Sequence, residues 1–132
     1  MTTRRRCASL LVALVAALAL ATGAGAEIVT KTDSEGRTIT FDVQAASVDV
    51  DWYAALLRAA AHGDEISRVT IRIVPEEAVP QLCGAAAAAC YSPGRNGGRI
   101  VVPAGKDLRV ASTFLHEYGH HLDSAWSVSG VR

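Results

Sequence analysis

Apolar and polar positions follow three patterns along the chain. Leu10 to Ala21 is apolar without a break. Glu27 to Thr32 and Arg37 to Val43 are rich in Ile, Val, Thr and Phe and flank Asp33-Ser34-Glu35-Gly36, a turn cluster. Two such runs around such a turn predict a β-hairpin. Arg68 to Val74 alternates strictly, with Val69, Ile71 and Ile73 on one face, and predicts a strand. Arg99 to Val102 predicts a further short strand, and the Pro103 that ends it suits an edge position.

Two stretches repeat at helical spacing instead. Val50 to His62 places Trp52, Ala55, Leu56, Ala59 and Ala60 on one face, with Asp49 or Asp51 to cap it and Gly63 to stop it. The last helix starts at Asp107 as its cap and carries Leu108, Ala111, Leu115, Tyr118 and Leu122 as an apolar stripe. Pro75 and Pro80 bracket an irregular connection, Ala85 to Ala89 predicts one helical turn, and Ser92 to Gly98 is a strong turn signal. The order β-β-α-β-β-α predicts an α+β fold: a small mixed sheet, a backing helix and a C-terminal helix. No repeat or second domain is visible.

Composition changes this picture at the amino terminus. Of 132 residues, 13 are basic and 13 acidic, and half are apolar, which excludes a disordered chain and argues against nucleic acid as a partner. Arg4, Arg5 and Arg6 precede the apolar run, and Ala24-Gly25-Ala26 follows it as a small-residue cleavage site. The run has 12 residues, short of the roughly 20 that span a bilayer. Residues 1–26 therefore predict a secretory signal peptide, and the mature protein is expected to be secreted, with no membrane partner. Its 106 residues carry ten basic and 13 acidic side chains. Cys7 leaves with the signal. Cys83 and Cys90 remain as an even pair in an exported chain and predict a disulfide, worth about 2–3 kcal/mol for so short a loop. Arg95 and Arg99 read as solvated charges.

The chemistry is on the last helix. His116-Glu117-Tyr118-Gly119-His120 has the H-E-x-x-H spacing. Residues four apart on a helix lie roughly 5–6 Å apart at Cβ, so two imidazoles can reach one Zn2+. Glu117 lies beside that point, where it can take a proton from a water that zinc has acidified. His121 points about 100° away from His120 and reads as exposed or as a hydrogen-bond partner of a ligand. His62 reads as a helix-end residue.

Phe114 to Asp123 (FLHEYGHHLD) resembles the active-site helix of zincin metallopeptidases, and its H-E-aromatic-G-H-x-x-D form is similar to the gluzincin branch, including lethal-factor-like and small secreted bacterial peptidases. The resemblance implies zinc on His116 and His120 and general-base catalysis by Glu117. It implies a peptide or protein substrate lying extended along an edge strand, Arg99, Ile100, Val101 and Val102. The first helix would back the upper subdomain of the fold.

The chain departs from the family pattern at the third zinc ligand. Gluzincins take it from a later Glu, and the 12 residues after His120 contain none. The metzincin positions for glycine and the third histidine hold Asp123 and Trp126. Asp123 is left either as a substitute ligand or, with less cramped geometry, as a hydrogen-bond partner of a ligand imidazole. Residues 27–132 are thus expected to be a zincin-like catalytic domain lacking its C-terminal part. The alternative expectation is a catalytically inactive or truncated zincin-like secreted binding protein.

Overall fold

The computed structural model describes residues 25–128, so the predicted signal peptide lies outside the described residues apart from its last two positions. The fold is α+β, as expected. Strands β1 (Glu27–Thr32) and β2 (Thr38–Val43) lead to helix α1 (Val50–Ala59), then to a 3-10 turn at Asp64–Arg68 and strand β3 (Val69–Val74). A second 3-10 turn (Glu76–Ala78) runs into helix α2 (Val79–Cys83). Strands β4 (Cys90–Ser92) and β5 (Gly98–Pro103) and helix α3 (Leu108–Val128) complete the chain. The five strands form one mixed sheet in the order β1-β2-β3-β5-β4.

The hairpin forms where the turn cluster predicts it. The Asp33 carboxylate accepts from the backbone N–H of Glu35 at 2.9 Å and of Arg37 at 2.8 Å. Gly36 supplies the positive φ of 79° that this turn needs. β1 then pairs antiparallel with β2 from Glu27↔Val43 to Thr32↔Thr38. The crossover through α1 makes β2 and β3 parallel, and α2 with β4 lies between the parallel strands β3 and β5.

Alternation along the strands sends Ile39, Phe41, Val69, Ile71, Ile73, Ile100 and Val102 to the face covered by α1 and α3. There they meet Tyr53, Leu57, Val110, Phe114 and Tyr118, and most of these side chains are removed from solvent entirely. Burial of this apolar set is the main term stabilising the fold. On the other face a smaller cluster of Val74, Val79 and Val101 sits under α2. The Cys83–Cys90 disulfide forms, with an S–S distance of 2.01 Å, and ties α2 to β4.

Four expectations need correction. First, Arg99, Ile100, Val101 and Val102 do not form an edge strand. β5 is interior, paired with β3 on one side and on the other with β4 through Cys90↔Val101, Tyr91↔Ile100 and Ser92↔Arg99. Pro103 is compatible with this because it stands past the reach of β4, where no donor to that neighbour is needed. The edge is β4.

Second, α1 ends at Ala59 and buries Tyr53, Ala54 and Leu57 rather than the Trp52 face. The Tyr53 hydroxyl lies 2.8 Å from the Pro103 carbonyl and accepts from Gly105 N–H at 3.1 Å, so the larger polar aromatic can be buried while Trp52 stays at the rim. Burial pushes the Tyr53 phenol up to about 12. Third, the inward stripe of α3 is Val110, Phe114, Tyr118 and His121, and Leu108 is 89% exposed. Fourth, the helical turn in the disulfide region lies at Val79–Cys83, not Ala85–Ala89. Pro80 preorganises its first turn, and Gly84, at φ 114°, ends it.

Candidate metal centre and substrate edge

Helix α3 begins as predicted: the Asp107 carboxylate accepts from Val110 N–H at 2.9 Å. Two turns on, His116 and His120 project from its exposed side. Their Nε2 atoms stand 3.1 Å apart and their ring planes cross at 88°. Two nitrogens on one tetrahedral zinc, each at 2.0–2.1 Å, lie about 3.3 Å apart. The pair therefore fits a shared zinc ion with little adjustment. Glu117 and His120 line an open cavity of about 560 Å³ together with Asp123, Cys90 and Tyr91. One wall of that cavity is thus β4, one of the two edge strands of the sheet, and the other is α3.

Asp123 shares this cavity but does not join the histidines in a group of three. Among the described residues no set of three His, Cys, Asp or Glu converges on one point. Nor, among the described residues, does its carboxylate hydrogen-bond either imidazole; its backbone carbonyl accepts from the Ser127 hydroxyl at 2.8 Å.

His121 is buried, 3% exposed, and this corrects the expectation of an exposed ring. Its Nε2 lies 2.8 Å from the Glu65 carbonyl. A carbonyl only accepts, so Nε2 donates there, which leaves Nδ1 to accept from the Tyr91 hydroxyl at 3.3 Å. The Tyr91 and His121 rings also meet edge to face at 5.6 Å between centroids. His121 thereby joins three elements: α3, the 3-10 turn at Glu65 and the edge strand β4. Tyr118 donates to the Glu65 carboxylate at 3.4 Å. Burial, and then the neighbouring Glu65 charge, raise its phenol well above the ordinary tyrosine value.

His62 stands just past the end of α1. Its Nδ1 lies 2.7 Å from the Ala60 carbonyl and its Nε2 3.2 Å from Asp33 Oδ2. It belongs to the hairpin corner and has no part in the α3 site.

Tyr91, His121 and the edge role of β4 were missed in the residue pattern. A signal for His121 existed: it continues the i, i+4, i+8 series of Val110, Phe114 and Tyr118 by three more residues. No comparable local signal marks β4, which is three residues long and defined by its pairing.

No family model matches the chain, and no curated protein or solved structure matches it.

Proposed function

We propose that the protein is an exported zinc-dependent metallopeptidase of zincin type. The observation that carries this reading is the pair of exposed imidazoles, 3.1 Å apart at Nε2, one of which, His120, lines a cavity with Glu117 against a sheet edge. His116 and His120 would hold the ion, and Asp123 stands on the same cavity wall with a carboxylate free to approach it. Zinc, when bound, supplies Lewis acidity toward a carbonyl and acidifies water. Glu117 is placed to accept a proton from water entering the cavity and return it to the departing amine. The backbone of Cys90–Ser92 offers its unpaired side to an extended peptide, which would add as a sixth strand. His121 fixes α3 against β4, so the distance between peptide and histidines is set by packing rather than by a loop.

Export rests on the first 26 residues: three arginines, a 12-residue apolar run and the A-x-A site. Among the described residues no helix is long and apolar enough to cross a membrane.

The test is zinc content and hydrolysis of an unstructured protein by wild type and Glu117→Gln. One equivalent of zinc in both is expected, with turnover reduced about 10²- to 10⁴-fold in the variant. Equal hydrolysis by the two proteins would sink the peptidase reading. A second reading, a secreted peptide-binding protein without turnover, draws on the open β4 edge alone; it predicts peptide capture by both proteins and hydrolysis by neither.

A further inference from the structure

The cations of the described chain divide into two groups. Lys31, Arg37, Arg72, Lys106 and Arg109 each pair with a carboxylate, and Arg58 holds the Thr32 carbonyl. Arg68, Arg95 and Arg99 have no such partner among the described residues. These three lie together. In the β3–β5 register Val69 faces Gly98 and Thr70 faces Arg99, so Arg68 abuts the loop that carries Arg95.

Glycines make that closeness possible. Gly97 has φ 133°, and a Cβ there would overlap the Arg68 carbonyl. A Cβ on Gly98 would collide with the Tyr91 ring and stand 2.9 Å from His121 Nδ1. The loop is therefore seated against both β3 and β4. It encloses a cavity of about 400 Å³ whose lining includes Arg68, Arg95, Asn96, Tyr91, His121 and Ser124, with no carboxylate. A second cavity, of about 410 Å³, is shared by Arg68 and Arg99 and likewise has none. The first cavity has Tyr91 and Ser124 in common with the cleft that holds Glu117 and His120. A peptide paired with Cys90–Ser92 would run past Ser92 directly into it.

We propose that the Arg68–Arg95 cavity receives the carboxylate of an acidic side chain in a peptide lying along β4, so that acidic peptides are the substrate class. Guanidinium groups match carboxylates in geometry as well as charge, and an amide and a hydroxyl stand ready to complete the set of donors. The mature chain is acidic overall, which makes a carboxylate-free patch of three arginines a local reversal of its field. The inference rests on the peptidase reading for turnover but not for binding.

The experiment measures fluorescence anisotropy of labelled peptides on the full chain carrying Glu117→Gln, at about 50 mM salt so that screening is modest. The probes are one extended peptide that is otherwise uncharged and carries three consecutive Glu, the same peptide with Gln in their place, and the same with Lys. The Glu peptide is expected to bind about tenfold tighter than the Gln peptide, with the Lys peptide weakest. Arg68→Gln and Arg95→Gln should each shrink that gap roughly threefold or more, and Arg95→Glu should favour the Lys peptide. Equal binding of all three peptides, or a gap that both glutamine variants leave intact, would overturn the proposal. So would competition by dextran sulfate equal, charge for charge, to the Glu peptide, which would mark simple polyanion adsorption. Arg95 is exposed in a turn and makes no side-chain ion pair or hydrogen bond among the described residues, so Arg95→Gln decides the matter even if Arg68→Gln fails to fold. An intact Glu preference without hydrolysis by wild type sinks only the peptidase reading; hydrolysis without preference sinks only this proposal.

Discussion

At the β1 edge of the sheet, Lys31 pairs with Asp51 at 2.8 Å and Arg58 reaches the Thr32 carbonyl at 2.7 and 2.9 Å. At the adjoining corner Asp33 takes Arg37 at 2.6 Å and His62 at 3.2 Å. At the β4 edge the strand is three residues long, is held by a disulfide, and stands beside three arginines that have no carboxylate partner among the described residues. Paired charges along a strand discourage another strand from adding to it. The β1 edge is closed in that sense, and the β4 edge is left with donors to spare. The same residue type, arginine, is spent on the fold at one edge and held in reserve at the other. Partnering, more than composition, separates a structural charge from one available to a ligand.

The largest expected effect tests what keeps β4 in place. Replacing both Cys83 and Cys90 by Ser should lower stability by about 2–3 kcal/mol, the value for closing so short a loop. Urea titration measures the loss. Because the bond anchors β4, peptide binding should weaken even at temperatures where the variant is fully folded. Unchanged stability and unchanged binding would show that β4 is held by its pairing with β5 alone.

A smaller effect is expected at the closed corner, and it depends on pH. Burial pulls the Asp33 carboxyl upward, but its hydrogen bond from Arg37, the backbone N–H groups of Arg37 and Glu35 and the Arg37 charge outweigh that and hold it at about 2. This lies below its ordinary value of 3.8, so the group's contribution is complete above about pH 4 and is lost as pH falls toward 2. Asp33→Asn should lower Tm by several degrees at neutral pH and flatten the fall of Tm between pH 4 and 2. A parallel fall in wild type and variant would remove Asp33 from the account. The smallest effect belongs to Lys31→Ala. Its partner Asp51 is largely exposed, at 73%, and such pairs contribute at most about 0.5–1 kcal/mol. Salt titration of Tm should barely separate this variant from wild type.

The same contrast explains what could be read from the amino-acid pattern. Val69, Ile71 and Ile73 alternate over a whole strand, and His116, Glu117 and His120 sit within five residues, so both were visible locally. The buried face of α1 was misread because Trp52 and Leu56 are large and apolar, while the residue that enters the core, Tyr53, needs carbonyl and amide partners some 50 residues away. β4 was invisible for a related reason. It exists through Tyr91↔Ile100 and through the contact of Tyr91 with His121, 30 residues on, and neither leaves a periodic trace. The imidazole pair was legible; the wall facing it was not.

The bond between Tyr91 and His121 also has a mechanical consequence. His121 directly follows His120, and Tyr91 is the middle residue of β4. A single phenol ring therefore acts as the spacer that sets the width of the cleft, with one end on the strand and the other one peptide bond from an imidazole. Strand and helix are thus braced against each other by one side-chain contact rather than by a loop.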